Sequence, residues 1–205
     1  MMNFTPQGLT ALSLFALVSS ITPGPNNMMI MASGANFGLR ASLPHLLGIG
    51  LGFMFMIVAV GLGLGGIFSR YPVLHSVLAV VGAVYLLWLA WKIATATSVS
   101  MAQGSGKPMT FMQAAAFQWV NPKAWAMALS ATTTYAPTVD YQAGILVVAL
   151  IFGVINIPSV GVWASFGTLL RGYLDRPAWL RGFNWGMAAL LVLSLFPLVG
   201  ELIKA

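Results

Sequence analysis

Apolar residues fill this chain in long stretches, and polar punctuation is sparse. Charges, prolines and glycines mark off six segments, Gly8–Ser33, Ser42–Gly66, Pro72–Ala94, Phe111–Thr134, Ala143–Leu170 and Gly182–Leu202. No charged side chain lies between Met1 and Leu39, between Ala41 and Ser69, or between Tyr141 and Leu170. Each of these runs exceeds the roughly 20 apolar residues that cross a bilayer as a helix. The pattern predicts an all-α polytopic membrane protein with six transmembrane helices. Connections at Thr95–Thr110 and Arg171–Arg181 are too short to be domains, so residues 1–205 read as one membrane unit with halves 1–95 and 111–205.

Two of the spans are interrupted. Span one contains Thr22-Pro23-Gly24-Pro25-Asn26-Asn27 and span four contains Asn121-Pro122-Lys123. Each is the first helix of its half, which suggests two inverted three-helix repeats with broken first helices. Broken helices near the midplane, at a repeat interface, are where many transporters hold substrate. Pro23 and Pro25 lack an N–H and their rings clash with the preceding turn, and Gly24 adds freedom between them. The freed carbonyls must meet protein, water or a ligand, because bare ones in hydrocarbon cost several kcal/mol each. Asn26 and Asn27 follow the break, where the open N–H groups of a helix start make a seat for a carboxylate. Asn156-Ile157-Pro158 is expected to interrupt span five in the same way, with Asn156 adding a polar contact.

Lys123 sits almost midway along span four, where a charged side chain costs about 2.5–3.5 kcal/mol. The acids in the chain are Asp140, Asp175 and Glu201, the first two in expected loops and the last near a span end. With no intramembrane carboxylate for a partner, Lys123 must bond carbonyls freed by the breaks, face a wet cavity, lose its proton or meet an anionic ligand. It is therefore the candidate proton-coupling residue, since losing its proton would loosen its hold on a carboxylate. Pro23, Gly24, Pro25, Asn26, Asn27, Asn121, Pro122, Lys123 and Asn156 together form the candidate substrate site. In it, a carboxylate would meet Lys123 and the N–H groups after Pro25, and an α-ammonium would meet the break carbonyls.

Composition narrows the class. The chain is 59% hydrophobic and 6% charged, against about 25% charged in soluble domains. With no cysteine, disulfides and thiolate metal sites are excluded. The net charge of +6 comes from basic residues scattered along the chain, with no patch for nucleic acid. Lys123 aside, the loops after spans one, three and five hold six Lys or Arg, and the opposite side holds two, Arg70 and Lys204. That imbalance places both termini outside the cell. The N-terminus lacks a basic n-region, so the first span is expected to be retained. Gly48, Gly50, Gly52, Gly61, Gly63 and Gly65 read as close-packing positions, and His45 and His75 as interfacial polar residues near span ends. Met28, Met29, Met31, Met54 and Met56 read as ordinary apolar residues rather than a Cu(I) path. No triad, acid pair or metal cluster is visible inside the membrane, so neither an enzyme nor a cofactor or metal is expected.

These residues together resemble the LysE/RhtB family of amino-acid exporters over nearly the whole chain. The resemblance rests on Ser20-Ile21-Thr22-Pro23-Gly24-Pro25-Asn26-Asn27, Asn36-Phe37-Gly38-Leu39-Arg40 and Gly48-Ile49-Gly50-Leu51-Gly52. It continues in residues 82–92, in Asn121-Pro122-Lys123-Ala124-Trp125 and in Phe183-Asn184-Trp185-Gly186. Ala90-Trp91-Lys92-Ile93-Ala94-Thr95 looks most like the cysteine and O-acetylserine branch. The resemblance implies a six-helix exporter of amino acids in the bacterial cytoplasmic membrane, driven by the proton gradient. The expected partners are a small neutral amino acid, protons and the lipid bilayer, with no nucleic acid and a homo-oligomer left open. An uncoupled channel or facilitator is the alternative. The sequence departs from the family at Asn156, near which relatives carry an Asp; if that Asp moves protons, this chain couples differently or not at all.

Overall fold

The computed structural model describes residues 4–95, 107–173 and 176–193, and among them every regular element is helical. α1 (Pro6–Ile21) and α2 (Pro25–Phe37) are separated by the first interruption and bent by 54°. α3 (Leu39–Ala59) runs through a wider turn at Val60–Leu64 into α4 (Gly65–Arg70), and α5 spans Pro72–Ala94. α6 (Phe111–Phe117) tightens into a 3-10 turn over Gln118–Val120, breaks at Asn121 and resumes as α7 (Pro122–Tyr135). α8 (Tyr141–Leu170) and α9 (Pro177–Leu193) complete the set. The end of span six, Glu201 and most of the Thr95–Thr110 connection lie outside the described residues, as does Asp175.

Two helical stretches, Leu39–Leu64 and Tyr141–Leu170, are long and apolar enough to cross a bilayer, and the bent pair α1–α2 makes a third if it counts as one span. At about 1.5 Å per residue, the 30 residues of α8 extend ~45 Å. The outward faces are apolar, with Leu14, Val18, Leu51, Phe55, Leu150 and Val154 all exposed, as a lipid-facing surface requires. Helices lie where the other expected spans were placed: α5 has the bounds Pro72–Ala94, α6 and α7 cover span four, and α9 begins span six.

α2 is the axis of the fold. Residues 27–35 are all buried, because α2 meets packing partners on every side. Met28, Met29 and Met31 pack with Leu86 and Ala90 of α5 and Met187 and Leu191 of α9. Ile30 packs with Leu46, Ile49, Val160 and Ala164. Gly34 and Gly167 let α2 and α8 touch backbone to backbone, since a Cβ on either would strike Ala164 O or Met31 O. A second cluster joins α1, α3, α7 and α8, with Phe152 set edge-on to Phe15 and Phe53 at 5.9 and 5.4 Å.

The glycines between Leu39 and Leu64 divide by role. Gly48 and Gly52 admit α6, and Gly50 admits Ile157, as the close-packing reading expected. Gly63 does not pack: its surroundings are open and its φ is +142°, a backbone shape that L side chains avoid. It marks a kink.

Two further expectations fail. α8 runs unbroken through Asn156-Ile157-Pro158. A lone proline removes one helical hydrogen bond, here the one to Val154 O, and the turns around it hold, so the helix continues; beside it Ser159 Oγ donates to Ile155 O at 2.7 Å. His45, read as an interfacial polar residue, is packed inside the protein at 1% exposed rather than presented on its surface. α3 starts at Leu39 and is tied to the buried α2 by Ser33 Oγ and Ser42 Oγ, 2.8 Å apart, which draws the first turns of α3 into the interior.

Candidate functional site

The end of α1 would leave its last carbonyls without helical partners, and each of them finds a donor. Thr22 N donates to Val18 O at 3.1 Å, and Thr22 Oγ1 donates to Ser19 O at 3.1 Å. Asn27 Nδ2 donates to both Ser20 O and Thr22 O at 2.8 Å. Trp163 Nε1, from α8, donates to Ile21 O at 3.0 Å. Lys123 Nζ donates to Thr22 O and Thr22 Oγ1 at 2.9 Å each, and to Pro23 O at 3.4 Å. A break in low dielectric therefore stands because three other elements supply its hydrogen bonds. Of the fates open to Lys123, bonding the freed carbonyls is the one the structure adopts.

The second break faces the first. Asn121 has an extended backbone and its side chain accepts from Lys123 N at 3.1 Å, capping α7 with Pro122 as the first helical residue. This cap fixes where Lys123 leaves the helix. Three residues earlier, Gln118 is fully buried and pairs reciprocally with Asn26. Asn26 Nδ2 donates to Gln118 Oε1 at 2.8 Å, and Gln118 Nε2 donates to Asn26 Oδ1 at 3.2 Å and to Ala114 O at 2.9 Å. The start of α2 has no side-chain cap, so its open N–H groups remain available to an anion.

Asn156, although its helix is unbroken, belongs to the same place. Its Nδ2 donates to Ser20 Oγ at 3.0 Å, and its buried Oδ1 has no partner among the described residues. Between these groups lies a cavity of about 20 Å³ lined by Asn26, Asn27, Asn121, Lys123 and Asn156 with Ser19, Ser20 and Gly24. That is room for about one water and far below the ~300–1000 Å³ of small-molecule pockets. All nine residues singled out in the sequence fall within or beside the two breaks and this cavity. Thr22, Ser20, Gln118 and Trp163 were missed. Gln118 carried a signal, being a polar residue three positions before Asn121-Pro122 in an otherwise apolar run.

A family model described as LysE type translocator matches residues 17–198. The chain belongs to the LysE-type translocator family. It is 32% identical over 201 residues to a protein of Klebsiella pneumoniae named cysteine/O-acetylserine efflux protein, covering 96% of this chain and all of the relative. A protein of the same name from Escherichia coli is 30% identical over 190 residues, covering 92% of this chain and 95% of the relative. One from Salmonella typhimurium is 31% identical over 168 residues, covering 82% and 86%. No solved structure matches the chain. This LysE-type translocator is thus an integral membrane transporter and not an enzyme, and both of its breaks lie inside the matched region.

Proposed function

We propose that this translocator exports a small neutral amino acid, or a derivative such as cysteine or O-acetylserine, from the cytoplasm by proton antiport. The observation that carries the reading is the meeting of two broken helices around a small polar cavity, with one lysine in its lining whose ammonium spans the breaks. Polar groups buried in a membrane interior mark a substrate or ion path. Support for the cargo comes from the relatives named for cysteine and O-acetylserine efflux. A neutral cargo also suits the acid count. Of three acids, Asp140 precedes the start of α8, and among the described residues no carboxylate lines the cavity to hold a cationic side chain.

In this reading α5, the pair α6–α7 and α9 are spans as well, which makes six in two inverted halves with both termini outside the bacterial inner membrane. The cavity holds about one water, so the conformation is closed, and cargo enters when the halves part. Gly24, Asn26 and Asn27 line one side of the cavity and Asn121, Lys123 and Asn156 the other, while Pro23, Pro25 and Pro122 set the breaks that bring them there. Protonated Lys123 holds the cargo's carboxylate and releases it on losing the proton, which couples export to the gradient.

Reconstitution into liposomes with labelled amino acids tests this. Uphill movement of one neutral amino acid on imposing a pH gradient is the expected result. Downhill movement alone, indifferent to the gradient, would make the protein a facilitator, and no movement of any amino acid would remove the cargo assignment.

A further inference from the structure

The most unusual feature of the first break is the source of one of its donors. Thr22 O, Thr22 Oγ1 and Pro23 O converge on a single ammonium that arrives from 101 residues along the chain. A primary ammonium has three N–H donors and no acceptor, so three oxygens are its full complement. They lie at the C-terminal end of α1, where aligned peptide dipoles leave partial negative charge. A fixed structural role would not need a lysine. Asn27 already serves Thr22 O and Ser20 O with a neutral amide, which brings no charge into the membrane. The stem that carries the ammonium is flexible and unbranched, which makes it the donor best able to leave.

We propose that this three-oxygen cradle is the α-ammonium subsite for cargo, and that Lys123 fills it as a tethered stand-in while no cargo is bound. The proposal rests on the transport reading of this site. Cargo enters by exchange: its ammonium takes Thr22 O, Thr22 Oγ1 and Pro23 O, and the displaced Lys123 ammonium takes its carboxylate. Both positive charges stay partnered at every stage, so neither a bare ammonium nor bare carbonyls face the low-dielectric interior. The exchange defines the cargo class as molecules with a free primary amino group and a free carboxylate on one carbon. N-acylated amino acids cannot fill the cradle, and carboxylates without an amine cannot vacate it. Gly24 is suited to this motion. Its backbone is extended, with φ −177°, so any residue would adopt that shape; but a Cβ there would lie 2.8 Å from Lys123 Cδ and 3.1 Å from Nζ. Glycine leaves the lysine stem room.

Lys123→Met keeps the stem and removes the ammonium, which leaves the cradle open. The test is thermal unfolding of this variant in detergent with methylammonium chloride, against choline chloride at equal ionic strength. Methylammonium at about tenfold excess over its Kd raises the apparent Tm of Lys123→Met by roughly 3 °C or more. The wild type, its cradle already filled, shifts by less than about 1 °C, and adding Thr22→Val to Lys123→Met cuts the rise. Equal responses in variant and wild type, or an equal effect of choline, overturn the proposal. If Lys123→Met is not recovered folded, the wild type is tested with a transported amino acid and its N-acetyl derivative. Stabilisation by the free amino acid alone supports the cradle, and equal stabilisation by both overturns it. Methylammonium rescue in a protein that moves no amino acid retains the ammonium site and overturns only its assignment to cargo. Transport without rescue leaves the transport reading intact and removes the cradle.

Discussion

Two stretches of this chain carry an asparagine close to a proline inside a long apolar run, and they fold in opposite ways. At Asn121-Pro122 the helix stops and restarts; at Asn156-Ile157-Pro158 it runs straight on. The difference is one residue of spacing. The position before a first-turn proline is the N-cap, which has an extended backbone and a side-chain oxygen that serves the first open N–H groups. Asn121 is in that position and its side chain accepts from Lys123 N. Before Pro158 stands Ile157, whose β-branched side chain has no oxygen to offer, so no new helix start forms there. Asn156, one residue too early to cap, turns its amide to Ser20 instead. The first break is harsher than either. Prolines disfavour helical backbone in the residue before them, and Pro23 and Pro25 act on Thr22 and Gly24 in turn, both of which are extended. A proline alone bends or tolerates; a proline with a cap, or two prolines out of step, makes an end. Ends offer the open backbone groups from which a site can be built.

The sharpest way to break this contrast is to take away what crosses between the two ends. Lys123→Met, measured in proteoliposomes, is expected to cut amino-acid export about 100-fold or more, a barrier change of ~2.7 kcal/mol, while the helical content of the protein is retained. Export within a few-fold of wild type would show that the carbonyls of the first break need no ammonium. The next effect is one of stability. Gln118→Leu strands the half-buried amide of Asn26, and a polar group left without its partner away from bulk water costs about 1–3 kcal/mol. Asn26→Leu combined with Gln118→Leu removes both partners, so the double variant is expected to be less destabilised than the sum of the two singles, by about 1 kcal/mol in thermal unfolding. Additive losses would mean that the two breaks are not joined by this pair.

How much of this was legible in the sequence follows from which features are local. The helices, both breaks and the placing of Lys123 are set by short-range chemistry: apolar runs, proline sterics and caps. α5 has the expected bounds of Pro72–Ala94 because a proline opens it and polar residues follow it. The donor that α8 brings to the first break was not legible, because Trp163 reaches α1 only once α8 has packed beside it. His45 was misread for a similar reason. Its place in the interior depends on α2 being buried, and Ser33 and Ser42 pairing across two helices leaves no mark in the run of residues. Pro158 was misread for a local reason, since the spacing between Asn and Pro was on the page and its meaning was missed.

That spacing gives the smallest and most discriminating test. If Pro158 only interrupts one hydrogen bond in a helix that continues regardless, then Pro158→Ala restores an N–H and relieves the ring clash. Its effect on stability is expected to stay within about 1 kcal/mol, of either sign, since membrane helices re-satisfy backbone groups around a proline. Export is expected to stay within about twofold, or ~0.4 kcal/mol, because Asn156 and its bond to Ser20 are untouched. Asn121→Ala, the matched change at the second break, removes a cap and is expected to destabilise by about 1 kcal/mol. It also frees the backbone position from which Lys123 departs, so its loss of export should exceed that of Pro158→Ala. Were Pro158→Ala the more damaging to export, α8 would have to bend at that proline during the transport cycle. The continuous helix would then be one conformation of a third hinge, and the cap would not be what separates a working break from an idle proline.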